Sequence, residues 1–216
     1  MEFIDAHAHI YDRLTPFGPK GEGRAIGNGL VEWATGEKER FLNPEHGEFG
    51  FSYEMLLSLM DEANISKSVL MQCSNYGFQN SYTHEAVSKY SDRFIGAGTF
   101  DPYAKYSDDI FNNLINNFGF KILKFELSEL YGLTGYHSDL SIDSNIFAPY
   151  LKMCEDLDIT VCLDTGFIDT KSCNINALLN VIKKYKNLKL VLAHTFFPSE
   201  DGKNDYRFDL IKKVKG

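Results

Sequence analysis

FIDAHAHIYD, residues 3–12, opens apolar, places an aspartate at position 5, then two histidines one residue apart. Side chains alternate along a strand, so His7 and His9 share a face. Two imidazoles in adjacent layers of one face can grip one divalent ion. H-x-H alone is a weak signal, and its position at the end of an apolar strand is what gives it weight. The rest of such a site has to come from elsewhere in the chain.

Working outward, residues 13–51 carry eight of the 17 glycines, three of the six prolines and the only tryptophan, Trp33. A loop this long is functional or disordered, and the segment reads as a lid over one end of the domain. Beyond it the pattern is regular. Met55, Leu56, Leu59, Met60 and Ala63 lie at helical spacing behind Ser52, a candidate N-cap. KSVLMQCS (67–74) suits a buried strand. A helix at about 81–91 and the strand DRFIGAGTFDP follow. SDDIFNNLINNF is a helix with Ser107 as its cap and two aspartates in its first turn. FKILKFE is a strand. A helix through Ile146–Leu157 tolerates Pro149 near its start. DITVCLD, a helix through Ile175–Tyr185, LKLVLAH and a last helix at about 205–214 complete the chain.

Strand–helix alternation of this kind means a parallel sheet with crossover helices. Six strands are expected. A doubly wound open sheet and a (β/α)8 barrel both fit the order, and the absence of G-x-G-x-x-G or G-K-[ST] lowers the weight of nucleotide-binding open sheets. In a parallel barrel, functional side chains gather at the C-terminal strand ends. Here those ends carry His7 and His9, then Cys73, Lys124 and Glu126, Asp164, and His194. Asp164 closes the apolar run ITVCLD, so it is solvated at the strand mouth or partnered. Lys124 and, in the lid, Arg24 are candidate cations for a substrate. Lys124 could equally snorkel to an edge. His46, His84 and His137 read as surface residues.

The net charge of −8 argues against nucleic acid or an anionic membrane as partners. No apolar run reaches the roughly 18–20 residues of a membrane span. No signal peptide is visible, so a cytoplasmic protein is expected. Cys73, Cys154, Cys162 and Cys173 lack C-x-x-C spacing and read as buried free thiols.

FIDAHAHIYD on strand 1 and LVLAHTF on strand 6, on this β/α frame, resemble the metal-dependent amidohydrolase superfamily. The nearer branch is the amidohydrolase-2 type, which includes aminocarboxymuconate-semialdehyde decarboxylase. The resemblance implies a distorted (β/α)8 TIM barrel with a catalytic divalent ion, usually zinc. It makes His7 and His9 metal ligands and sets His194 beside the attacking water or the substrate. The family commonly has a histidine at the end of strand 5, where this chain has Asp164, still a competent ligand. The family also carries an aspartate after strand 8, in a GSD-like motif that this sequence lacks. Only residues 195–216 follow His194, whereas a βαβ unit takes about 30 residues. The expectation is therefore one partial barrel domain, 1–216, with about six β/α units and exposed sheet edges, open to homo-oligomer formation. Its expected activity is hydrolysis of a small ester, lactone or amide. Non-oxidative decarboxylation of a small carboxylic acid, with Lys124 or Arg24 near the leaving carboxylate, is the alternative, and an inactive barrel remnant is the non-enzyme reading.

Overall fold

The computed structural model describes residues 2–167 and 170–196. The expected helix at 205–214 lies outside the described residues. The strands are β1 (Phe3–Ala8), β2 (Phe17–Gly18), β3 (Gly21–Gly27), β4 (Leu30–Trp33), β5 (Lys38–Arg40), β6 (Ile65–Leu70), β7 (Phe94–Gly98), β8 (Ile122–Glu126), β9 (Thr160–Asp164) and β10 (Leu190–Leu192). The helices are α1 (Tyr53–Glu62), α2 (Asn80–Lys89), α3 (Ser107–Asn112), which runs on into a π-type turn, α4 (Ala148–Asp156) and α5 (Ile175–Lys184).

Six parallel strands form one sheet in the order β1-β6-β7-β8-β9-β10. Strands spaced ~4.8 Å apart would put the outer two roughly 24 Å apart if the sheet were flat. Yet the rings of His7 on β1 and His194 after β10 have centroids 4.9 Å apart. The sheet therefore curls: it is an incomplete TIM barrel, and the open-sheet alternative is set aside. The inner face is filled by Met71, Ala97, Cys162 and Ala193, with Val69 and Ile122 against them. The outer face is covered by helices through a larger cluster that includes Leu123, Phe125, Phe147, Leu151, Val161 and Leu178.

Local signals explain the starts of α1, α4 and α5, but not those of α2 and α3, which begin without a side-chain cap. Ser52 Oγ accepts from the Met55 N–H at 3.2 Å, capping α1. Asn174 does the same for α5 through Ala177 N–H, at 3.1 Å. Pro149 sits in the first turn of α4, where its missing N–H costs nothing. Ser107 is the first helical residue of α3 rather than its cap. Its hydroxyl accepts from Tyr150 Oη at 2.7 Å instead, because a tertiary partner competes with the local bond. The four cysteines are buried. No helix among the described residues is long and apolar enough to cross a membrane.

The stretch 13–51 is not an irregular loop. It forms a four-stranded antiparallel sheet, β2-β3-β4-β5. Tyr11, Leu14, Ala25, Val31, Trp33 and Leu42 make its small core, and Tyr76 and Tyr131 of the barrel loops pack against it. Short strands joined by glycine turns hide from a search for long periodic runs.

Candidate functional site

On β8, alternation sends Leu123 and Phe125 into the helix-side core and Lys124 and Glu126 to the inner face. Lys124 does not snorkel: it is 1% exposed. A buried ammonium needs partners, and it has three. Its Nζ lies 3.4 Å from His7 Nε2, 3.7 Å from Glu126 Oε2 and 3.8 Å from Asp164 Oδ2. The β8–β9 register, with Glu126 opposite Asp164, puts the two carboxyls in one layer.

The histidines close the cluster. His9 Nδ1 is 2.9 Å from the Met71 carbonyl, which can only accept, so Nδ1 carries the proton and Nε2 keeps its lone pair. The His7 and His9 rings meet edge to face at 4.9 Å. Burial, then the Lys124 charge, pushes the imidazole pKa values down, to about 4 for His7 and about 3 for His9. Both are neutral near pH 7. Burial, then the neighbouring Asp164 carboxylate, pushes the Glu126 carboxyl up to about 7. His194 Nε2 lies 3.3 Å from Asp164 Oδ2. Its backbone is left-handed, φ 55°, an uncommon state for a residue with a Cβ. It belongs to the single turn Ala193–Phe196 that follows β10.

His9, Lys124, Glu126, Asp164 and His194 border a cavity of about 560 Å³, with Tyr76, Tyr131 and Phe167 also on its walls. Asp164 is further held by the Gly166 N–H at 3.1 Å, and Glu126 by the Ser128 N–H at 3.2 Å.

Of the residues singled out from sequence, the fold brings together His7, His9, Lys124, Asp164 and His194. It does not bring Arg24. That side chain is 75% exposed on the small sheet, paired with Glu32 at 3.0 Å, and is not among the cavity walls. Register decides this, because Arg24 lies opposite Glu32 on β3–β4. Glu126 is the residue that the reading of strand ends undervalued. Its i, i+2 spacing from Lys124 was the available signal. His137 is not simply a surface residue either: its Nε2 is 2.8 Å from Asp101 Oδ2 and its ring stacks on Tyr103. His84 stacks on Phe118, with a buried Nδ1 that has no hydrogen-bond partner among the described residues.

The donors suit a divalent cation in their chemistry. They are two neutral imidazoles, one oriented by a carbonyl, beside buried carboxyls that already surround a positive charge, the Lys124 ammonium. Among the described residues, however, no three His, Cys, Asp or Glu side chains close around a single point.

The family model described as amidohydrolase matches residues 4–210. No curated protein matches the sequence. Among solved structures, one similar chain is a probable 2-pyrone-4,6-dicarboxylic acid hydrolase from Acinetobacter baumannii with citric acid bound. It is 18% identical, covers 99% of this chain and 66% of its own, and has a TM-score of 0.62. A second is an uncharacterized TIM-barrel protein from Bordetella bronchiseptica, 20% identical over 76% of this chain and 57% of that one, with a TM-score of 0.61. A third is 5-carboxyvanillate decarboxylase from Novosphingobium aromaticivorans, complexed with manganese and a nitrobenzoic acid. It is 18% identical over 73% of this chain and 52% of that one, with a TM-score of 0.53. The chain thus spans less than two thirds of each of these structures.

Proposed function

Because the chain belongs to the amidohydrolase family, we propose that it is a metal-dependent hydrolase acting on a small ester, lactone or amide. His7, His9 and Asp164 would hold a divalent ion, zinc first; manganese, present in the decarboxylase structure, is the other candidate. When bound, the ion supplies Lewis acidity. His194 takes a proton from the attacking water and returns it to the leaving group, with Asp164 Oδ2, 3.3 Å from Nε2, orienting the ring. Tyr76, Tyr131 and Phe167 give the cavity apolar walls that suit a small organic substrate.

The observation that carries this reading is the His194–Asp164 contact at 3.3 Å on the cavity wall. Decarboxylation ranks second, because it asks for a free cation at the departing carboxylate. Lys124 is the only lysine or arginine among the described cavity walls, and it is already shared among His7, Glu126 and Asp164.

The test is metal analysis of the purified chain, followed by a screen of zinc- and manganese-loaded protein on small esters, lactones, amides and carboxylated aromatics. Hydrolysis is expected, with His194→Ala lowering kcat by about 10²-fold or more while metal content is unchanged. Carbon dioxide release without hydrolysis would move the assignment to the decarboxylase. No turnover of any substrate by metal-loaded protein would defeat both.

A further inference from the structure

We propose that Lys124 is a built-in cation that competes with a divalent ion for the same donors, so that metal affinity is set by how readily this side chain gives way. The choice of donors rests on the reading above; the competition itself does not depend on the reaction catalysed.

The side chain of Lys124 is only 2% exposed, so its charge is compensated within the protein. The compensating atoms are His7 Nε2, Glu126 Oε2 and Asp164 Oδ2, at 3.4, 3.7 and 3.8 Å. Two of these three are atoms that a metal ion would need. An ammonium accepts such neighbours at hydrogen-bond and ion-pair distances, whereas zinc requires N and O ligands at about 2.0–2.2 Å. The cluster is therefore spaced for Nζ, which accounts for the lack of any three ligating side chains closing on one point among the described residues. Two cations in so dry a site repel each other strongly. For a metal to enter, Nζ has to leave His7 and Asp164. Glu126 is placed to receive it: Oε1 is fixed by the Ser128 N–H at 3.2 Å, and Oε2 already faces Nζ. Lys124 is thus a positioning residue, and Glu126 is the group it retreats to.

The experiment measures zinc affinity of the full chain by competition with a chromophoric chelator, for wild type, Lys124→Met and Lys124→Arg after stripping with EDTA. Lys124→Met removes the competing charge and leaves the carboxyls in need of a cation, so zinc should bind at least tenfold more tightly. Lys124→Arg keeps a bulkier charge that yields less easily, so zinc should bind more weakly than to wild type. Equal or weaker zinc binding by Lys124→Met overturns the proposal; the weaker result is what a lysine serving as part of the metal site would give. If Lys124→Met is unfolded without zinc, folding on zinc addition supports the proposal. If it stays unfolded, Lys124→Arg decides, and zinc affinity equal to or above wild type overturns it. Zinc binding by Lys124→Met but not by wild type supports the competition while removing metal-dependent hydrolysis as the wild-type function. No zinc binding by either folded protein overturns both.

Discussion

His7 and His9 are neutral because burial and Lys124 disfavour their charged forms, and this has a consequence for stability. Their pKa values lie at about 4 and about 3 in the folded protein against 6.5 as the ordinary value. Between those limits the unfolded chain binds more protons, so their contribution to stability is lost as pH falls below about 6.5. Glu126 works in the opposite sense. Its carboxyl, raised from 4.5 to about 7, is protonated more readily in the folded state, so its contribution is lost as pH rises from about 4.5 through 7. Two histidines against one glutamate leave a net loss on acidification. The melting temperature of EDTA-treated protein should fall from pH 6.5 to pH 5. Glu126→Gln should steepen that fall, and an unchanged slope would show that its titration is not linked to folding.

At the scale of elements, one carboxylate joins the packing of Tyr76 and Tyr131 in tying the small antiparallel sheet to the barrel. Glu39 on β5 accepts from Lys20 Nζ at 3.2 Å, from Trp33 Nε1 at 3.0 Å and from the Tyr131 hydroxyl. Burial alone would raise its pKa, but these three donors outweigh it and hold the carboxyl below its ordinary value. Tyr131 also stacks near Trp33 and lines the cavity, so the sheet's anchor and the cavity wall are one residue. Trp33 is 3% exposed, and Trp33→Ala should cost about 3–5 kcal/mol in chemical denaturation. Gly29 holds φ +69°, and an added Cβ would come within 1.9 Å of the Leu42 carbonyl oxygen. Gly29→Ala should therefore disrupt the β3–β4 turn, seen as faster proteolysis within residues 17–40.

At the scale of the whole molecule, the curl that assembles the site also leaves two sheet ends. Among the described residues β1 pairs only with β6, and β10 only with β9. Phe3 and Ile4 on β1 are each 55% exposed. An open, apolar edge strand is a template for pairing with another chain. Concentration-dependent association by light scattering is expected for this 216-residue chain, and Ile4→Lys should weaken it. A strictly monomeric wild type at high concentration would refute this.

His194, expected to close the last strand, lies instead in the turn after β10; the strand–helix order, the shared face of His7 and His9 and the carboxylate ending β9 were legible in the sequence. Each follows from a local period, two along a strand and 3.6 along a helix, acting on apolar spacing. The Ser52 cap of α1 is equally local. Three features came only from the fold. Lys124 could have lain at an edge or at the centre, because alternation gives a side chain's direction but not what waits there. The short strands of residues 17–40 take their order from a core shared with barrel loops and not from their own periodicity. His194 meets His7 only because the sheet curls, and curl is a sum of small twists over six strands that no single segment encodes.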